Sequence, residues 1–331
     1  MFGFYKFIGF FMFYIILAFN PAEATTNDDD FNIWLSEYKS FALKKGISKE
    51  TIDQTFANTK FIEKIIVYDR KQPEFYEDTL TYVGKRANLI RINNAKKLLN
   101  KNKKIFKEVE VNFLVEKEIL LALWGIETNF GKHVGKMDIV SALATLSFDK
   151  RRSEFFSKQL LILLELIDNN TINPSTLYGS WAGAYGNFQF MPSTIKRYAL
   201  DYDGNNKIEL KKSLSDALAS AANYLNQIGW AKNQPCFLRV KINNKINKKY
   251  INTSARNINN RLSIKKWSSK GVINFDGSKL LPNPKAALIL PDNKENSPAY
   301  LVFKNYEHIL KWNRSLRFGI SVCTLANKIK I

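Results

Sequence analysis

The sequence predicts a mainly α protein of the α+β class, with one small β insert. Three observations carry that reading. Apolar residues recur at helical spacing from Phe31 to about Val111, and again from Tyr306 to the terminus. Between them, residues 114–126 read LVEKEILLALWGI, and the second half of that run is apolar on every side, as in a helix buried on all faces. Only after Trp230 do short segments with strand-like alternation appear.

The 331 residues suffice for a sizeable core and two or three subdomains. Residues 1–24 read as a secretory signal: Lys6 gives a positive start, 7–19 an apolar stretch too short to span a bilayer, and Ala22-Glu23-Ala24 a small-x-small cleavage site. An exported, periplasmic protein is expected, without a lipid-anchor cysteine. Residues 25–30 are polar and acidic and are expected to be disordered.

Residues 31–110 form an N-terminal helical subdomain. FNIWLSEYKSFALKKG ends at Gly46, Ser48 starts a short helix, and 94–107 make a basic helix with Ala95, Leu98, Leu99 and Ile105 inward. A core follows over 111–230. It holds the buried helix from Glu116 to Glu127, a helix over 152–168, a break at Asn173-Pro174, a Gly- and aromatic-rich stretch over 176–192, and a helix over 215–227 ended by Gly229. In 231–305, residues 236–242, 286–290 and 299–303 read as strands of a small β subdomain. A closing helix over 306–331 returns to the core.

Cys236 and Cys323 are the two cysteines. An oxidising compartment permits a bond between them. The apolar setting FGISVCTLA suits a buried thiol, and the reading favours two unpaired cysteines. The net charge of +20 points to an anionic partner, and export argues against nucleic acid. A cell-wall polymer bearing peptide carboxylates fits that charge, and peripheral contact with a membrane stays open.

Glu127 is the most informative residue. A carboxylate at the end of an all-apolar helix is costly unless paired or protonated, and a carboxyl kept protonated at neutral pH is what a general acid requires. The alternative is a structural pair with Lys132, Arg151 or Arg152. The chain has only His133 and His308, so a histidine triad or a multi-histidine metal site would have to use them, and a surface or structural role is expected for both; no phosphate-binding glycine motif is present. GSWAGAYGNFQFMPS, residues 179–193, brings glycines for close backbone approach, aromatic faces, and the polar groups of Ser180 and Gln189. That mixture suits a sugar ring, or else a tight packing corner. Residues 201–208, DYDGNNKI, place Asp201, Asp203, Asn205 and the Lys207 carbonyl at positions 1, 3, 5 and 7 of an EF-hand-like loop. Lys212 stands where the closing Glu is usual, and Asp216 is the next carboxylate that could close the site. The alternative is an Asx-rich turn without metal.

Together these segments resemble the membrane-bound lytic transglycosylase B family, whose members cleave peptidoglycan and share a lysozyme-like core. WGIETNFG resembles the family's catalytic motif, FDKRRSEFF its arginine pair, GSWAGAYGNFQFMPS its most distinctive block, LDYDGNNKIELKKSLSDALASAANYL its EF-hand and following helix, and LVFKNYEHILKWNRS its closing segment. The order of motifs is kept from about Phe31 to the C-terminus. The resemblance implies cleavage of the β-1,4 bond between N-acetylmuramic acid and N-acetylglucosamine without water, by attack of the muramyl O6 hydroxyl. It implies Glu127 as the single general acid and base, and a glycan groove lined by Ser180, Gln189, Tyr224, Arg151, Arg152, Phe155, Trp312, Asn313 and Phe318. It also implies Ca2+ held by Asp201, Asp203, Asn205, Lys207 and Asp216, no organic cofactor, glycan strands as substrate, and other wall-remodelling enzymes as partners. Phe188 departs from the family's usual Gly, and Phe155 and Phe318 from Tyr in some members. A lysozyme-type hydrolase using Asp138 or Asp149 as a second carboxylate, or a wall-binding protein without turnover, are the competing expectations.

Overall fold

The computed structural model describes residues 27–71, 76–243, 245–282, 284–294 and 296–330; the secretory signal expected over residues 1–24 lies outside them. Helix α1 (Asn27–Lys44) starts inside the stretch expected to be disordered. Asp28, Asp29 and Asp30 occupy its first turn, where negative charge meets the positive end of the helix dipole. α2 (Lys49–Phe56) is capped by Ser48, whose hydroxyl accepts the Thr51 N–H. α3 (Glu63–Arg70) and α4 (Thr79–Arg86, capped by Asp78) follow. The basic helix expected over 94–107 is instead two helices, α5 (Leu89–Lys101) and α6 (Lys103–Phe113). They part at Asn102, which leaves helical geometry while its amide donates to the Leu98 carbonyl.

α7 (Lys117–Thr128) is the all-apolar helix. It is buried from Ile119 to Gly125 and packs against α5, α6 and the last two long helices. A second buried helix, α8 (Ile139–Phe148), lies against α9 (Ser153–Asp168). A short antiparallel pairing joins β1 (Met137–Asp138) to β2 (Tyr178–Gly179), with α8 and α9 between them in the chain. Gly135 permits that approach: a Cβ there would lie 2.0 Å from the Gly179 carbonyl oxygen. α10 (Pro192–Tyr198) and α11 (Leu214–Gln227) complete the middle of the chain.

The β insert is a five-stranded sheet of β3 (Phe237–Ile242), β4 (Ile251–Asn252), β5 (Val272–Asn274), β6 (Ala287–Ile289) and β7 (Ala299–Val302), ordered β4-β6-β7-β3-β5. β4 and β6 are parallel and the other pairs antiparallel. Strand alternation gives the sheet two apolar faces. Ala287, Ile289, Tyr300 and Val302 join the main core. Val240, Leu288 and Leu301 form a second core under α12 (Ile264–Ser269) and its buried Trp267. The closing segment is two helices, α13 (Lys304–Trp312) and α14 (Leu316–Lys330), broken at Asn313.

The cysteines correct the sequence reading. Cys236 and Cys323 form a disulfide, with Cα atoms 6.0 Å apart, joining the foot of β3 to α14. The apolar run around Cys323 correctly signals burial. It carries no information about the strand that arrives from 87 residues earlier to meet it.

Candidate active site

Glu127 lies in the last turn of α7, half-buried, just before a reversal of the backbone. Asn129, Phe130 and Gly131 all take positive φ, so the chain leaves the helix sharply. Thr128, fully buried, fixes this turn: its hydroxyl donates to the Asn187 carbonyl at 2.8 Å and accepts the Gly131 N–H. Beside it, the Trp124 indole N–H donates to Asn187 Oδ1 at 2.9 Å, and Asn187 Nδ2 donates to the Leu210 and Lys211 carbonyls. Asn187 therefore ties the helix that carries Glu127 to the segment that follows the calcium-like loop. Gly131 makes room for it, since a Cβ there would lie 2.7 Å from Asn187 Oδ1.

Across from α7, Trp312 at the end of α13 directs its indole N–H to Glu127 Oε1 at 3.1 Å. The indole stacks on Tyr224 (centroids 5.0 Å apart), which stacks on Tyr198 (4.6 Å), while Phe188 and Phe190 flank Trp312 at 6.1 and 5.2 Å. Burial pushes the Tyr224 phenol up to about 12, so it stays a hydrogen-bond donor across neutral pH. The carboxyl thus sits against an aromatic wall, at the C-terminal end of α7, where the helix dipole opposes further negative charge.

The glycine-rich block folds as a tight loop. Tyr185 and Phe190 exchange backbone hydrogen bonds, with Gly186 and Gln189 at positive φ. Positive φ at a glutamine is uncommon and marks a constrained position. Its side-chain amide donates to the Val134 and Gly186 carbonyls. Ser180 Oγ accepts from Ala182 and Ala184 N–H groups, leaving its proton to donate.

Arg151 and Arg152 are exposed, and both reach back to the buried Asp69: Arg151 Nε lies 2.6 Å from Oδ2, and Arg152 pairs with Oδ1. Phe155 is 47% exposed and meets Phe156 edge-on. Asn313 caps the end of α13, next to Trp312. Phe318 is a correction: it is 3% exposed and packed in the main core on the inward face of α14, so it offers no surface to a ligand. The two carboxylates weighed as water activators both have structural tasks. Asp138 caps α8 through the Ser141 N–H, and Asp149 pairs with Arg70 at 2.9 Å.

Carboxylate oxygens of Asp201, Asp203 and Asp216 lie within 4.8 Å of one another. Asp216 is fully buried in the first turn of α11, accepting N–H groups of Tyr202, Asp203 and Glu209. Asp201 accepts three N–H groups of its own loop, and Asn206 and Gly204 take the positive φ that the turn needs. Three converging carboxylates, one of them buried, fit a hard divalent cation. Asn205 is the weakest candidate donor, because it offers a neutral amide oxygen where the aspartates offer carboxylates; that oxygen accepts the Lys207 N–H.

Sequence reasoning missed Asp69 and Asn187. Neither stands in a diagnostic string; the sole hint for Asn187 is an amide placed between Gly186 and Phe188 in the glycine-rich block.

Residues 30–327 match the family model described as the transglycosylase SLT domain. A stretch of 119 residues, 36% of this chain, is 44% identical to membrane-bound lytic murein transglycosylase B of Escherichia coli, and spans 33% of that protein. Among solved structures, SltB3 of Pseudomonas aeruginosa in complex with NAG-NAM-pentapeptide superposes with a TM-score of 0.82 at 33% identity, covering 91% of this chain and 79% of that one. SLT35 of E. coli in complex with calcium superposes with a TM-score of 0.75 at 25% identity, covering 92% and 93%. With the motif order, the helical core and nearly the whole length in agreement, the chain belongs to the transglycosylase SLT domain family.

Proposed function

We propose that this protein is a lytic murein transglycosylase, cleaving the β-1,4 bond between N-acetylmuramic acid and N-acetylglucosamine and leaving 1,6-anhydro-muramyl ends. The observation that carries the reading is Glu127 itself: one carboxyl at the end of a buried helix, held by the Trp312 indole N–H, beside aromatic rings that suit sugar faces. Hydrolytic glycosidases need two carboxylates across the bond, and Asp138 and Asp149 are committed to a cap and an ion pair. A single carboxyl suffices where the nucleophile is in the substrate. Glu127 gives its proton to the glycosidic oxygen as the bond to C1 breaks. The muramyl O6 then closes on C1 and returns its proton to Glu127. An intramolecular hydroxyl brings effective concentrations of ~10^5 M or more, which removes the need for positioned water. SltB3 has also been solved with NAG-anhNAM-pentapeptide, a ligand with the anhydro end that this route produces.

Ser180, Gln189, Tyr224, Trp312 and Asn313 would bind sugar, with Arg151, Arg152 and Phe155 further along the glycan. Asp201, Asp203, Asp216 and the Lys207 carbonyl, with Asn205 the weakest donor, would hold a structural Ca2+ that neutralises the carboxylate cluster. Export to the cell envelope follows from the leader-like residues 1–24. No helix among the described residues is long and apolar enough to cross a membrane.

Mass spectrometry of peptidoglycan digests tests the reading. Anhydro ends are expected from the native protein. Glu127→Gln should lower the rate by at least ~10^2–10^4-fold while binding to sacculi persists. Products one water heavier would overturn it.

A further inference from the structure

The net charge is unevenly distributed. Residues 232–285, within the β insert, hold thirteen Lys and Arg and one acid, Asp276, so this small stretch carries twelve of the chain's +20. Among the described residues its ion pairs are Lys232–Glu110 and Arg261–Glu307. The other cations of the stretch form no ion pair among the described residues, and two of them are organised over one ring.

Arg239 and Lys241 stand on the side of β3 that Phe237 also occupies, because alternate residues share a side. Phe237 packs on Tyr300 at 5.1 Å and belongs to the main core; Val240, between the two cations, points to the second core. The cations therefore lie on the sheet face turned toward the catalytic body. Phe275, just beyond β5, lies beneath them: the Arg239 guanidinium carbon is 3.7 Å from its ring centre and Lys241 Nζ is 5.2 Å away. The ring is 44% exposed. Neither Arg239 nor Lys241 donates a hydrogen bond to a protein side chain among the described residues; the nearby Asp276 carboxylate accepts the Ser278 N–H, and the Lys241 charge adds to the pull that holds it below the usual carboxylate range. The disulfide one residue before β3, and the antiparallel pairing of β3 with β7, hold the group against the body of the protein.

We infer that Arg239, Lys241 and Phe275 form a second substrate site, one that takes the stem-peptide carboxylates of peptidoglycan beside the strand being cut. The inference rests on the murein reading above. Two preoriented cations over an exposed ring suit a ligand with free carboxylates next to an apolar face. An anionic bilayer is a poorer fit, because a flat surface meets the outside of the insert and not the side facing the catalytic body.

The test uses the full chain carrying Glu127→Gln, which binds without cutting. Its affinity is measured for sacculi with intact stem peptides and for sacculi stripped of them by an amidase. Adding Arg239→Gln and Lys241→Gln should weaken binding to the peptide-bearing material about tenfold, the effect of two charge-assisted contacts, and leave binding to stripped glycan unchanged. Lys265→Gln with Lys266→Gln, on α12 behind the sheet, should change neither. If the double variant melts lower than its parent, Lys241→Gln alone replaces it, with about a threefold loss expected. Equal losses on both materials, no loss on either, or parental binding to anionic phospholipid vesicles or duplex DNA as tight as to peptide-bearing sacculi would overturn the inference. Absence of anhydro ends from the native protein would overturn the murein chemistry and leave this binding comparison readable.

Discussion

Opening the Cys236–Cys323 disulfide should cost the protein several degrees of thermal stability, and the size follows from its position. The bond closes a loop with a sequence separation of 87, so it removes about 4.6 kcal/mol of chain entropy from the unfolded state at 25 °C. Unfolding entropy of ~2.1 cal/mol/K per residue, over roughly 300 folded residues, gives about 0.6 kcal/mol/K, which converts that loss to a drop in Tm of about 7 °C. Reduction of the native protein isolates the loop contribution, because no atoms are lost. Cys236→Ala with Cys323→Ala should fall further, by about 1 kcal/mol per deleted sulfur, since both sites are buried. Calorimetry with and without reductant, with thiol titration of the unreduced native protein, makes the measurement. A shift under about 1 °C, or two titratable thiols before reduction, would refute the argument that this bond staples the sheet to α14.

His308 predicts a pH dependence. It is buried on α13, and burial, with Lys311 and Lys304 nearby, lowers its pKa to about 4. The unfolded imidazole takes a proton near 6.5, so its contribution to stability is complete above that pH and is lost as pH falls toward 4, by about 3 kcal/mol in all. Urea titrations of the native protein and His308→Gln should converge by that amount between pH 7 and pH 4, and parallel curves would count against it. For the metal, Ca2+ added to chelator-treated protein at a hundred times its dissociation constant should add about 2.7 kcal/mol, read as a rise in Tm. Asp216→Asn should abolish that rise, and an unchanged Tm in the native protein would remove calcium from the account.

The mainly α class and the family were legible in the sequence, and several single elements were not. Glu127 and the glycine-rich block stand out because their chemistry needs rare strings: a carboxyl after an apolar helix, and glycines among aromatics. α8 escaped notice for a physical reason. IVSALATLSF is buried almost throughout, so it has no polar face and no period to detect. α3 and α4 are short, and the break at Asn102 uses neither Gly nor Pro. Asp69 is invisible in sequence because its role exists only when Arg151 and Arg152 arrive from some 80 residues away. Phe318 failed in the opposite direction: a position carried over from a motif says nothing about which side of a helix faces the core, and α14 turns this ring inward.

Asn187 shows what the contacts add that no string could. Its side chain holds the Trp124 indole on one side and the carbonyls of Leu210 and Lys211 on the other, and its backbone carbonyl receives Thr128, the residue after Glu127. Leu210 follows Glu209, whose N–H is bound by the buried Asp216. A path of hydrogen bonds linked through the Glu209-Leu210 peptide and Asn187 thus runs from the carboxylate cluster to the last turn of α7. A cation at that cluster would therefore stiffen the turn that aims Glu127 without touching its carboxyl. Loss of metal should accordingly change stability first, and catalysis only through the position of one side chain.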